Sequence, residues 1–147
     1  MSDIYFINNI DSTGNFDVVL DGNPQMVSGN QLLANIVETV MLTNVQTSLL
    51  SNGFGGDATN LIGKSYNPND LASISAMMKV SLDKTKKIII DDQNESLDFI
   101  PATEKLFSLD LVDITKIADR IMVTIKVVPQ EMEPRFAPAG PTITLPL

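Results

Sequence analysis

The chain has no cysteine, no histidine and no tryptophan among its 147 residues. The first two absences remove thiolate and imidazole metal sites, disulfides, c-type haem attachment and nucleophilic catalysis of the Ser-His-Asp or Cys-His kind. Any enzyme chemistry would fall to carboxylates, lysine or tyrosine, and any metal would be a hard ion held by oxygen. Positive charge is scarce as well: 10 Lys and Arg against 18 Asp and Glu give a net charge of −8. Such a field repels phosphate backbones and anionic lipid, which argues against nucleic acid as a direct partner and against a membrane. Long apolar runs are also missing. Hydrophobic residues make up 44% of the chain, yet uninterrupted runs are of the length of Ile88-Ile89-Ile90, far short of the roughly 20 residues that span a bilayer. The opening MSDIYFINN has no basic region, signal-length apolar core or small-residue cleavage site, so the chain is expected to stay in the cytoplasm that makes it.

Three stretches invite a chemical reading. GFGGDATNLIGKS, residues 53–65, ends like a phosphate-binding loop, but G-x-x-x-x-G-K-[ST] requires glycine at position 58, where alanine stands. Gly56 is out of register and no buried strand precedes the stretch, so it reads as a glycine-containing surface loop. The carboxylates Asp91, Asp92 and Glu95 cluster, as do Asp17 and Asp21, and a glycosidase needs two acids roughly 5–10 Å apart across a sugar cleft. Aromatics to stack a sugar are only 5% of the residues, and these acids fall where turns and helix ends place acids anyway. DDQNESLD, residues 91–98, is rich in oxygen but lacks the spacing and turning glycine of a calcium loop. No catalytic, cofactor-binding or metal-ligating set is therefore assigned, and no cofactor is expected.

The order of elements is more informative. IYFINNIDSTGNFDVVLDG reads as a β-hairpin around residues 11–15, with Phe16, Val18 and Leu20 on one face. A helix should follow: Ser28 and Gln31 have the spacing of a capping box, Val27 and Leu32 that of a hydrophobic staple, and Leu32, Leu33, Ile36, Val37, Val40 and Met41 recur at helical period. A second helix of roughly 25 residues is expected with Asn67 as cap, Pro68 in its first position and Asp70 in its first turn. Leu71, Ile74, Met78, Leu82 and Ile89 share one side of it, although its IIIDD end could instead be a short strand. Two strands come next, one with Phe107, Leu109 and Leu111 alternating, the other with Ile121, Val123, Ile125 and Val127. These elements predict an α+β fold, a small, mainly antiparallel sheet packed on two helices, spanning residues 1–128.

Residues 129–147 hold five of the eight prolines, which block helix and interior strand pairing and favour extended backbone. Phe136, Ile143 and Leu145 punctuate this stretch, so it is expected to be an arm outside the domain that lies along another chain, the alternative being a disordered tail. The second helix is longer than a compact domain of this size usually needs. Leu71, Ile74, Met78 and Leu82 on that helix, with Phe136, Ile143 and Leu145 on the arm, are the candidate partner-binding residues.

The succession of DVVLDG, QLLANIVETVMLTN, GFGGDATNLIG, a long helix and a strand pair ending in IMVTIKVV resembles the baseplate wedge proteins that initiate the sheath of contractile phage tails, a lysozyme-like baseplate family. The resemblance covers roughly residues 15–130 as pattern, with Leu42-Thr43 and the glycines from 53 to 63 in the family's places. It implies a structural virion protein, not an enzyme, present in several copies in a hetero-oligomeric assembly. Its partners would be other baseplate wedge proteins and the tail sheath protein, with assembly in the host cytoplasm. Family members commonly carry Glu-Pro-Arg between the long helix and the strands. Here Phe99-Ile100-Pro101-Ala102 stands there, while Glu133-Pro134-Arg135 follows the strands, so the motif's role is not transferred. The competing expectation is a carboxylate-dependent hydrolase of the peptidoglycan-degrading type.

Overall fold

The sheet that organises the molecule is held in phase by two irregularities in one strand. In a computed structural model that describes residues 3–4, 7–10, 16–19, 26–44, 54–61, 70–117, 120–137 and 140–146, strand β5 (Leu106–Ile117) pairs antiparallel with β6 (Arg120–Pro129). Strand β7 (Thr142–Pro146) then adds to the other side of β6. Leu106 faces Pro129, but Ser108 faces Val128, and Leu111 faces Ile125 while Asp113 faces Thr124. Phe107 and Val112 are therefore extra residues in β5, as in a β-bulge. The bulges bring Leu109, Leu111 and Ile114 opposite Val127, Ile125 and Val123, so that all three pack against the core. Without the second, Asp113 rather than Ile114 would oppose Val123. The strict alternation expected for Phe107, Leu109 and Leu111 fails at Phe107, which is 65% exposed because the bulge turns it out.

Helix α1 (Asn30–Leu42) packs against β6 and β7, helix α2 (Leu71–Glu95) against β5, and the two helices against each other. The apolar stripe of α1 is the one its sequence predicts: Leu32, Leu33, Val37, Val40 and Met41 are buried and Ile36 packs at the core edge. On α2, Ile74, Met78, Leu82 and Ile89 are buried. The helix runs without interruption through Ile88-Ile89-Ile90 to Glu95, so the short-strand alternative is excluded. Its cap is Asp70, whose carboxylate accepts a hydrogen bond from the Ser73 N–H at 3.1 Å, an Asx cap one turn later than the expected one. Asn67 and Pro68 lie outside the described residues.

Ahead of α1, strands β1 (Asp3–Ile4) and β4 (Met26–Val27) pair antiparallel, and so do β2 (Ile7–Ile10) and β3 (Phe16–Val19). The second pair is the hairpin expected from sequence; its turn residues and Leu20 lie outside the described set. Two helices on a three-stranded antiparallel sheet make this an α+β fold.

The expected division at residue 128 needs correction. Backbone after Pro129 is extended in part, as its prolines require, but it returns to its own sheet. Ile143 pairs with Ile125 and Leu145 with Val123, and both side chains are buried, at 4% and 1% exposure. A proline-free stretch, Thr142-Ile143-Thr144-Leu145, leaves every N–H free to pair, and its inward residues complete the core. Pro146 falls at the strand's end, where a missing donor costs least.

Candidate interaction surface

The residues singled out from sequence divide into two groups. Ile74, Met78, Leu82, Ile143 and Leu145 are brought together, but in the chain's own hydrophobic core. Leu71, in the first turn of α2, is 37% exposed. Phe136 is half-buried, in a short 3₁₀ turn (Pro134–Phe136), with the Arg135 guanidinium 4.8 Å from its ring centroid. Surplus apolar surface lies elsewhere. Leu97 is fully exposed, Phe99 is 91% exposed, and Val80 and the bulged Phe107 and Val112 are all more exposed than buried.

Leu97 and Phe99 belong to residues 96–100, which leave the C-terminal end of α2. Beneath this segment is a cavity of about 250 Å³. Ile36 and Val40 of α1, Phe54 of the glycine loop, and Ile88 and Ile89 of α2 form its apolar wall, with Phe99 and Ile100. Asp92, Asp98 and Glu104 also line it, with no lysine or arginine among the lining residues. Gln93 sets the path of the chain across the cavity, because its amide donates to the Glu104 carbonyl at 2.8 Å and accepts from the Leu106 N–H at 3.0 Å. Together these bonds fix where residues 96–104 leave the helix and enter β5.

Glu104 is nearly buried and accepts a hydrogen bond from the Gly29 N–H at 3.0 Å. It is one of two carboxylates at the start of α1. The other is Glu133, which accepts from the Asn30 N–H at 3.2 Å. Ser28, the expected cap, makes no such bond; the capping residue is Gly29, and carboxylates 75 and 103 residues away do the capping. Negative groups suit that end of a helix. Gly29 has φ 64° and ψ −139°, a conformation that side chains disfavour, and a Cβ there would stand 2.7 Å from a Glu133 oxygen. Asn30, fully buried, completes the junction. Its amide donates to the Thr103 and Glu131 carbonyls at 2.7 and 3.0 Å, and its carbonyl oxygen accepts from the Glu133 N–H at 2.7 Å. Arg135 in turn donates to Glu133 at 3.1 Å. The Glu133-Pro134-Arg135 sequence, left without a role by sequence reasoning, thus ties the chain after β6 to the first turn of α1. A carboxylate capping across 103 residues leaves no local spacing by which to find it.

Expected to be a surface loop, the glycine loop is over residues 54–61 a partly buried strap, with Gly55, Gly56, Ala58 and Leu61 buried and Asn60 exposed. Gly56 donates to the Val40 carbonyl at 2.8 Å and its own carbonyl accepts from the Ser81 hydroxyl at 2.6 Å, so it bridges the two helices. A Cβ on Gly56 would lie 2.2 Å from Thr85 Oγ1 and 2.7 Å from Met41 Cα, which explains glycine there by close approach. Lys84 pairs with Asp57 across the same strap. Gly63, Lys64 and Ser65 lie outside the described residues.

Asp91, Asp92 and Glu95 are exposed in the last turns of α2. Among the described residues, no group of three or more acidic side chains is placed to hold a metal ion, and no helix is long and apolar enough to cross a membrane. Compared with known proteins, the chain matches no family model, no curated protein and no solved structure.

Proposed function

We propose that the chain is a structural subunit of a contractile phage tail baseplate, a wedge component that bundles with neighbouring baseplate proteins and initiates or anchors the sheath. The support is of two kinds. One is the resemblance in element order, which the α+β arrangement of two helices and a three-stranded sheet fits. The other, which carries the reading, is the exposed Phe99 at an apolar cavity, with the fully exposed Leu97 two residues before it in the chain. Two large apolar side chains held in water within three residues, one of them at a cavity, suit a surface that another polypeptide covers. Burial there would contribute about 25 cal/mol per Å² of apolar area before ordering costs.

In this reading the partners are other wedge proteins and the sheath protein, the chain is present in several copies, and the site of action is the virion's tail. The test is complementation. Tails assembled without the chain should lack an anchored sheath, and the wild-type chain should restore it. Normal contractile tails in its absence would refute the proposal. A peptidoglycan assay with purified protein, Asp91→Asn and Asp92→Asn addresses the hydrolase alternative. We expect no turnover by any of the three, and activity lost in either variant would replace the structural reading with the enzymatic one.

A further inference from the structure

We infer that the cavity at the end of α2 receives one large apolar side chain of a partner polypeptide, flanked on that partner by lysine or arginine. The inference rests on the chain's being an assembly component, though not on which assembly it joins. Size is the first argument. A volume of about 250 Å³ exceeds the roughly 150 Å³ that admits a benzene ring, so one leucine, methionine or phenylalanine side chain fits. Chemistry is the second. The wall is built from Ile36, Val40, Phe54, Ile88 and Ile100, and Phe99, which also lines the cavity, has most of its ring in water, where an inserted group could cover it.

Charge selects the partner. Asp92, Asp98 and Glu104 line the cavity with no cationic residue among them. The helix end beside it is arranged against its own electrostatics: the last turn of α2 has no basic residue, and Asp91, Asp92 and Glu95 crowd the negative end of the helix dipole. Asp91 and Glu95 are also like charges at i, i+4, a repulsive spacing. Lys87, four residues before Asp91, offsets part of this charge, but among the described residues no ion pair joins Asp92, Glu95 or Asp98 to a cation, which leaves the surface suited to an opposite charge from outside. A cation from the partner would relieve both conflicts, speed encounter and fix orientation while the apolar anchor fills the cavity.

The probe is a 14-residue amphipathic peptide of leucine and lysine, with a second peptide carrying glutamate for every lysine, each titrated into the full-length protein and followed by backbone amide NMR. The lysine peptide should bind saturably, at least tenfold more tightly than the glutamate peptide, with shifts concentrated at Ile36, Ile88, Gln93 and Phe99. Phe99→Ala, and Asp92→Asn with Asp98→Asn, should each weaken it at least fivefold. Asp83→Asn with Asp110→Asn, which removes the same charge from a different crevice, should change it less than twofold. Equal weakening by both charge pairs, shifts spread over the surface, or no saturable binding would overturn the inference. Those results would leave the baseplate reading standing, whereas a chain that binds the peptide at the cavity yet is dispensable for tails would overturn that reading alone.

Discussion

Replacing Asn30 by alanine tests the junction that joins α1 to the two segments flanking the sheet. The side chain is fully buried and makes three hydrogen bonds: to the Thr103 carbonyl, to the Glu131 carbonyl and from the Glu133 N–H. Each is worth about 1 kcal/mol net, and truncation also strands backbone groups whose desolvation costs about 1–3 kcal/mol each where water cannot reach them. The cavity left by alanine could admit one water, so the total is set at about 3 kcal/mol, toward the lower end of that sum. For a domain whose whole stability is on the order of 5–15 kcal/mol this is a large share. Urea unfolding followed by far-UV circular dichroism should show the midpoint falling by about 1.5 M, taking a slope of about 2 kcal/mol/M. Thermal unfolding should shift down by about 6–12 °C. Asn30→Asp is the discriminating companion. It keeps the acceptor for Glu133 N–H and the volume, but puts an oxygen against two carbonyls and a charge beside Glu104 and Glu133, so it should be at least as damaging as alanine. A loss below about 1 kcal/mol for Asn30→Ala, or a neutral Asn30→Asp, would refute the reasoning.

Gly56→Ala should destabilise by about 1–3 kcal/mol or more in the same denaturation assay, because its Cβ would overlap Thr85 Oγ1 and the Met41 backbone; an unchanged midpoint would mean the strap is not held where described. Ile143→Ala should cost about 2–5 kcal/mol, the range for core truncations, since Ile143 is buried opposite Ile125. A cost near zero would restore the picture of residues 129–147 as an arm outside the domain. Phe99→Ala should leave stability within about 0.5 kcal/mol, because the ring is 91% exposed, yet it should impair complementation in tail assembly. Assembly at wild-type levels would remove Phe99 from the interface.

Much of the architecture was legible because it is written in local periodicity. The stripe of α1, the long amphipathic α2 and the alternation of Ile121, Val123, Ile125 and Val127 each repeat with the period of the element they form. The errors arose where a long-range contact decides. Ser28 has the spacing of a cap, but two distant carboxylates reach the helix start first, and Gly29 takes the unusual backbone conformation that lets them approach. Proline content marked the last residues as extended, which is true of β7, but could not reveal that their partner is β6 of the same chain. The bulges in β5 did leave a sequence trace: inward residues Leu106, Leu109, Leu111 and Ile114 are spaced three, two and three apart. A reading that demanded strict alternation put Phe107 on the wrong face. The cavity was invisible because its lining residues come from five separate stretches between Ile36 and Glu104.

The central claim is that this molecule works by covering apolar surface on other polypeptides. Cryo-electron microscopy of contractile tails purified from the cells that produce the chain measures this most directly. The account predicts the chain in the baseplate at fixed stoichiometry, with Leu97 and Phe99 buried against a neighbour whose apolar side chain occupies the cavity beside Asp92 and Asp98. Tails that contain no copy of it, or a copy whose Leu97 and Phe99 still face water, would contradict the account.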